Sequence, residues 1–398
     1  MELTTKQAEG LRITLERFQA GESYTCIAGY AGTGKSTLVK FIIDAMGLNP
    51  EEQVCYCAFT GKAATVLKEK GCPNAITAHK LLYKAVPLSD GTFLFEEVYD
   101  FDKDFKVIVV DEVSMLPKEM WDLLLTHNIY VLACGDPFQL PTINPDDDNH
   151  VLDNPHIFLD EIMRQALDSE IIRLSLDIRE GRPLNLFSGK DVKVVEKASL
   201  VTGMLTWADQ ILCATNNTRI GVNQQMRALL GKDGDPKDGD KIICLNNHWE
   251  TNGSLDNPLT NGRILTITNA KMRTLRFPEW RIGVGSLAVI LCDLVDEESG
   301  ETYYNMYLDK QGLVTGTPGL NPKQKFKLSR ISKRYYSGPR DILDVAYAYA
   351  ITGHKAQGSE FKNVVVLEER FPFDKTEHAR WLYTCATRAS DKLIIVKQ

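Results

Sequence analysis

The sequence predicts an α/β protein built from parallel-sheet units, with a β-rich insertion in its second half. Three observations carry that prediction. Short apolar runs alternate with helical patterns at both ends of the chain. The first of those runs feeds directly into GYAGTGKS at residues 29–36. Between about 245 and 340 the helical period gives way to short strands punctuated by glycine turns.

The chain has 398 residues, 43% hydrophobic and 25% charged, which is the composition of an ordinary globular protein with two to four domains. Residues 3–20 read as an amphipathic helix stopped by Gly21, with no apolar signal core. No uncharged run approaches a membrane span. The nine cysteines are scattered and form no C-x-x-C pair, so they read as reduced core residues rather than a metal site. Together these features point to a cytoplasmic protein that uses no membrane. A net charge of −7 excludes a general polycation but leaves room for a local basic groove.

Within GYAGTGKS, Gly29, Gly32 and Gly34 let backbone N–H groups curl round phosphate oxygens. Thr33 lies between two of these glycines. The helix that opens at Ser36-Thr37 adds its positive end. Lys35 supplies a point charge for the β- and γ-phosphates, and the Ser36 hydroxyl suits Mg²⁺. A nucleoside triphosphate with Mg²⁺ is therefore expected, and the loop by itself says no more than that. Just upstream, Gln7 of LTTKQ reads either as a solvated helix residue or as an amide facing the adenine edge.

Next, QVCYCAF (53–59) is a buried strand, and TGKAATVLKEKG is a helix starting at Thr60-Gly61. ITAHKLLY (76–83) carries Thr77 and His79, and an isolated histidine is more often structural than functional. Residues 84–105 break the rhythm. Ser89-Asp90-Gly91 signals a turn and TFLFEEVY alternates, so the segment predicts a small β-hairpin. Phe93 and Phe95 share one face of its second arm. KVIVV (106–110) then delivers Asp111 and Glu112 at a strand end. There the first carboxylate can hold Mg²⁺ and the second can deprotonate an attacking water. IYVLACGD (129–136) leads to Gln139 on the same sheet edge, where open α/β sheets bind ligand.

Residues 157–180 read as one helix with Arg164 interrupting its apolar face, by default a surface arginine. A second α/β unit starts at 211–231, and DGDPKDGD (233–240) reads as an acidic linker. The β-rich stretch that follows predicts a small barrel. Residues 311–340 hold no Asp or Glu, but they carry Lys323, Lys325, Lys327, Arg330, Lys333, Arg334 and Arg340 among Phe326, Tyr335 and Tyr336. Such a run is either a solvated face or a track for a phosphate backbone with bases stacking beside it. The α/β pattern resumes at 341–369 and closes at 378–396, so flanks on either side of the insertion build the second sheet.

Taken in order, LTTKQ, GYAGTGKST, AFTGKAA, TAHKLL, VVDEVSML, GDPFQLP, MRQA, CATNN, ITGHKAQGSEF and YTCATRA resemble the motif series of the superfamily 1 helicases. The likeness is strongest to the 5′→3′ subgroup, superfamily 1B, that includes RecD and the phage Dda helicase. The resemblance covers almost the whole chain and implies two RecA-like P-loop domains. These are 1A (1–83 and 106–165) and 2A (166–245 and 341–398). The hairpin 84–105 would be a 1B pin, and 246–340 an SH3-like 2B barrel.

The resemblance further implies an ATP-dependent DNA helicase acting on single-stranded DNA and duplex junctions as a monomeric motor. It would work in the cytoplasm of a bacterium or a phage-infected host, with replication or recombination proteins as partners. Gln7 would read adenine, Glu360 would touch the ribose, and Arg164 and Arg388 would reach the γ-phosphate as arginine fingers. Thr60, Lys62, Thr77 and His79 would line DNA on the first domain. Asn216, Thr352, His354, Lys355 and Gln357 would line it on the second. Phe95 would be the wedge at the junction. A single-strand translocase that displaces proteins without strong unwinding would carry the same motor motifs. A metabolic kinase or nucleotide switch would have no use for GHKAQGSE or ATRA.

Overall fold

The computed structural model describes residues 3–87, 93–141, 145–248, 259–297, 299–339, 341–370 and 374–398. The Ser89-Asp90-Gly91 turn, the Asn252-Gly253 turn and Arg340 lie outside the described residues, as does the side chain of Arg164. Two compact units emerge. The first comprises 1–83, 97–214 and 352–398, and the second comprises 84–96 and 215–351.

The first unit holds two α/β sheets. In one, the strands run in the order Ile76–Thr77, Val54–Ala58, Val107–Asp111, Tyr130–Gly135, Tyr24–Gly29, Ile157–Leu159. Every pairing in it is parallel. Parallel strands covered on both faces read as continuous apolar runs, and here each face feeds its own core. Ile27, Tyr56, Val109 and Leu132 pack with Leu38 and Ile42 of the Lys35–Ala45 helix on one side. Cys26, Cys55, Cys57, Ile108 and Val131 pack with Trp121 and Leu124 on the other. The cysteines are thus core residues with free thiols, and burial pushes that of Cys26 up to about 12.

The other sheet carries Gln210–Cys213, Phe361–Leu367, Ala389–Lys397 and Val192–Glu196 as parallel neighbours, with Phe187–Ser188 antiparallel at one edge. Gln210 pairs with Val364, so the sheet is built from segments flanking the insertion, as the sequence predicts.

The single helix expected over 157–180 is corrected. Ile157–Leu159 is a strand paired with Ile27–Gly29, and helices follow only at Arg164–Leu167 and Glu170–Arg179. Ile157 and Leu159 are buried while Phe158 is exposed, an alternation of period two that suits an edge strand. Ser169 then caps a fresh helix by accepting from the Ile172 N–H.

In the second unit, five strands form an antiparallel sheet in the order Thr302–Asp309, Ser286–Asp296, Ile264–Arg276, Lys241–Cys244, Val345–Tyr347. The sheet therefore recruits strands on both sides of the stretch read as the insertion. A core of Ile242, Leu265, Ile267, Ile290, Leu294, Tyr303 and Leu308 lies under it. A second, smaller core gathers Phe277, Ile282, Leu287, Leu328 and Ile331 beneath two short helices, Glu279–Ile282 and Pro322–Ser329.

The acidic segment 233–240 is corrected as well. It ends in Asp240, which is fully buried and is held by Arg227 Nε at 3.1 Å, by the Tyr349 hydroxyl at 3.0 Å and by the Lys237 N–H at 2.8 Å. A linker with a solvated acid would leave Arg227, itself buried, without its countercharge. The hairpin arms Tyr83–Pro87 and Phe93–Glu97 pair as a two-stranded sheet, with Phe95 exposed on the second.

Candidate functional site

The site sits at the C-terminal ends of the first sheet. Gly32 and Gly34 take left-handed conformations, φ +77° and +79°, which a side chain would resist, and Gly34 caps the Lys35–Ala45 helix. Lys35 Nζ donates to the carbonyls of Gly29 at 2.6 Å and Tyr30 at 3.2 Å, so the ammonium hangs in the mouth of the loop. Thr33 is buried and donates to the Tyr30 carbonyl at 2.8 Å, while Ser36 is exposed at the start of the helix and Thr37 half-buried behind it. Gln7 is buried. Its amide donates to the Thr33 carbonyl at 3.2 Å, and its oxygen accepts from the Thr4 N–H in a capping box. Of its two readings the solvated one fails, because the amide lies against the loop.

Asp111 ends the Val107–Asp111 strand, and Glu112 follows in a left-handed conformation (φ +49°) that re-aims its carboxylate. Gln139 Nε2 donates to Glu112 Oε1 at 3.3 Å. Arg388, buried, brings its guanidinium to 3.9 Å from the same oxygen while donating to the carbonyls of Ser359 and Thr384. The two sheets of the first unit therefore meet at Glu112. MRQA also reaches the loop, through the Met163 N–H that donates to the Gly32 carbonyl at 2.9 Å. Arg164 begins the helix that follows.

Two residues that the sequence reading passed over tie the same junction. Tyr383 donates to Asp136 Oδ2 at 2.5 Å and accepts from the Ala31 N–H of the phosphate loop at 2.8 Å. Thr384 Oγ1 accepts from the Leu140 N–H at 2.9 Å. Strand-end logic of the kind that selects Asp111 applies equally to Asp136 in GDPFQLP. Tyr383 and Thr384 stand in YTCATRA, where only the arginine drew notice. Burial pushes the Asp136 carboxyl up, with Lys35 and the Tyr383 hydrogen bond opposing. Asp111 is likewise pushed up by burial and then by Glu112. Among the described residues, three carboxylates, Asp111, Glu112 and Asp136, face Lys35 and Arg388, so the pocket is one positive charge short. Ser36 and Asp111 as donors therefore fit a hard divalent cation such as Mg²⁺.

The residues expected on DNA take several different settings, in both units. Thr60 and Thr77 cap helices, accepting from the N–H groups of Ala63 and Lys80. Lys62 is buried with its ammonium 3.8 Å from the centre of the Phe361 ring, and Gln357 is buried and donates to the Leu140 carbonyl at 2.6 Å. His79, 5.5 Å from Phe59 ring to ring, and His354 both have their imidazoles pushed down by burial, towards the neutral form. Thr352 and Lys355 are half-buried in the same unit. Asn216, in the second unit, accepts from Arg219 at 3.1 Å. Glu360 pairs with Lys70 at 2.9 Å, at the seam between the two sheets.

Residues 2–203, about half of the chain, match the AAA domain family, and residues 347–396 match the UvrD-like helicase C-terminal domain. The ATP-dependent DNA helicase dda of Enterobacteria phage T4 is 29% identical over 46% of this chain and 43% of its own length. The ATP-dependent RecD2 DNA helicase of Deinococcus radiodurans is 25% identical over 94% of this chain and 47% of its own. The chain thus spans less than half the length of these curated relatives. Pif1 helicase from Bacteroides, solved in complex with ADP-AlF3 and ssDNA, has the same fold. It gives a TM-score of 0.52 at 16% identity, with 100% of this chain and 92% of that one covered. The chain belongs to the AAA domain family, and it is similar to the RecD/Dda-like helicases of superfamily 1B. No helix among the described residues is long and apolar enough to cross a membrane.

Proposed function

We propose that this chain is an ATP-driven DNA motor that moves 5′→3′ on single-stranded DNA and unwinds the duplex ahead. The observation that carries the reading is the convergence on Glu112. Gln139 approaches it from one sheet and Arg388 from the other, above a phosphate loop that Tyr383 touches directly. ATP would lie along Gly29, Gly32, Thr33 and Gly34, with Lys35 on its β- and γ-phosphates, Ser36 and Thr37 at the helix start, and Gln7 at the base. Mg²⁺, held by Ser36 and Asp111, would neutralise charge on the phosphate oxygens.

Glu112 takes the proton of the attacking water, which Gln139 orients. Arg388, joined by Arg164, stabilises charge on the transferring phosphoryl group with a planar fork that never deprotonates. Because these groups come from two sheets, the catalytic set is complete only when the halves close, and opening after hydrolysis converts chemistry into a step. Thr60, Lys62, Thr77, His79, Asn216, Thr352, His354, Lys355 and Gln357 form the proposed DNA track. Phe95, exposed on its hairpin, is the proposed wedge at the junction.

The test is an unwinding assay with ATP on 5′-tailed, 3′-tailed and blunt duplexes, run alongside displacement of streptavidin from single strands. Unwinding of the 5′-tailed substrate alone is expected, with Phe95→Ala impairing unwinding more than displacement. Activity on the 3′-tailed substrate alone would reverse the polarity, and displacement without unwinding would leave a translocase.

A further inference from the structure

The motor reading leaves unused the acid-free segment 311–340, whose described residues the structure packs against the helix Glu279–Ile282. That four-residue helix joins the two longest strands of the second unit. Ile282 is fully buried in the small core with Leu328 and Ile331, which turns its neighbours Trp280 and Arg281 outward. Tyr335 and Tyr336 repeat the division. Tyr336 lies 5.3 Å from Phe277, ring to ring, in that core, whereas Tyr335 is on the surface.

The outward residues meet. Trp280 and Tyr335 are 5.5 Å apart at 85°, and the Arg281 guanidinium lies 4.4 Å from the first ring centre and 4.6 Å from the second. Arg334 comes within 5.8 Å of Tyr335, and Trp280 is 70% exposed. Among the described residues, neither Arg281 nor Arg334 has a carboxylate within ion-pair distance.

We propose that Trp280, Arg281, Arg334 and Tyr335 form a binding site for single-stranded nucleic acid, in which an unpaired base stacks on Trp280 and the two arginines take the flanking phosphates. The site lies wholly in the second unit and builds on the nucleic-acid reading above while using none of its residues. An exposed indole costs solubility, and a surface cation–π contact alone returns little, about 0.5–1 kcal/mol. A base fits both features. It covers the open indole face, and the phosphates on either side of it answer the uncompensated arginines. The edge-on Tyr335 cannot stack a second base parallel to the first. It fixes the arginine and the indole in place. Base stacking selects unpaired strands over duplex, whose bases are already stacked.

The test uses the full chain with a thymidylate oligonucleotide carrying 5-iododeoxyuridine, which crosslinks to adjacent aromatic rings on irradiation. Crosslinked peptides should map to Trp280 or Tyr335. By anisotropy, Trp280→Ala should weaken oligonucleotide binding about tenfold, with Trp280→Phe restoring it to within about threefold. Arg281→Glu should weaken binding and make it less salt-dependent. Circular dichroism and melting temperature matching wild type would keep the Trp280→Ala result from being a folding defect. Wild-type binding with Trp280→Ala unchanged and no crosslink at either ring would overturn the site and leave the motor reading intact. Equal losses on blunt duplex, or displacement by an acidic peptide but not by free oligonucleotide, would also overturn it. No oligonucleotide binding by wild type would overturn both.

Discussion

The two units spend their buried charge differently. In the first, Asp111, Glu112, Asp136 and Arg388 converge on a phosphate loop, and burial pushes the carboxyls of Asp111 and Asp136 up. In the second, Arg227 and Asp240 are buried as deeply, yet nearly every polar atom is answered. The guanidinium donates to Asp240 and to the carbonyls of Gly234 and Asp235 at 2.9 and 2.8 Å, and it stacks on Tyr347. A charge set that satisfies itself holds structure together. One whose carboxyls are pushed towards the neutral form beside a phosphate loop is placed to meet a charged ligand. Substitutions should therefore cost chemistry in the first unit and folding in the second.

The largest effect expected from that contrast is Glu112→Gln. It removes a general base while keeping shape, so ATP turnover should fall about 10²–10⁴-fold with the melting temperature almost unchanged. Steady-state hydrolysis and a thermal melt check it together. A loss below about tenfold would mean that Glu112 is not the base.

Asp240→Asn should do the reverse. It leaves the Arg227 charge buried with no countercharge, a defect of about 3–5 kcal/mol. Urea unfolding should show the second unit melting first, while nucleotide binding at the loop persists. A change under about 1 kcal/mol would place this pair with the inert surface bridges.

The same contrast explains what could be read from the sequence. A phosphate loop is a local device whose strand, glycines, lysine and helix are contiguous, so GYAGTGKS announced itself. A lone Asp-Glu pair says nothing, and Asp111 and Glu112 stood out only because they close an apolar run downstream of that loop. Arg227 and Asp240 are 13 residues apart and lie in segments that resemble a surface helix and an acidic turn. Only the folded chain shows that both are buried. Ile157–Leu159 misread as helix because three residues carry too little periodicity to separate a strand from the helices that follow. Tyr383 was missed because an aromatic beside Trp381 and Leu382 reads as core. Its ring is core, and only its hydroxyl is not.

That hydroxyl gives the smallest of the expected effects and the one that tests the contrast most finely. Tyr383→Phe removes a single oxygen, leaving the ring in its edge-on contact with Phe138 at 5.3 Å. Asp136 then loses a donor in a place where it is almost wholly enclosed, and the Ala31 N–H loses its acceptor. A hydrogen bond to a charged group is worth about 1.5–3 kcal/mol, so a stability loss of that size is expected. If Tyr383 were only a strut, stability alone would change. Because it holds the phosphate loop from the opposite sheet, the KM for ATP should also rise, by about tenfold, while the kcat set by Glu112 stays near wild type. A stability loss with KM unmoved would reduce Tyr383 to packing and place the junction between the two sheets in the same self-satisfied class as Arg227 and Asp240.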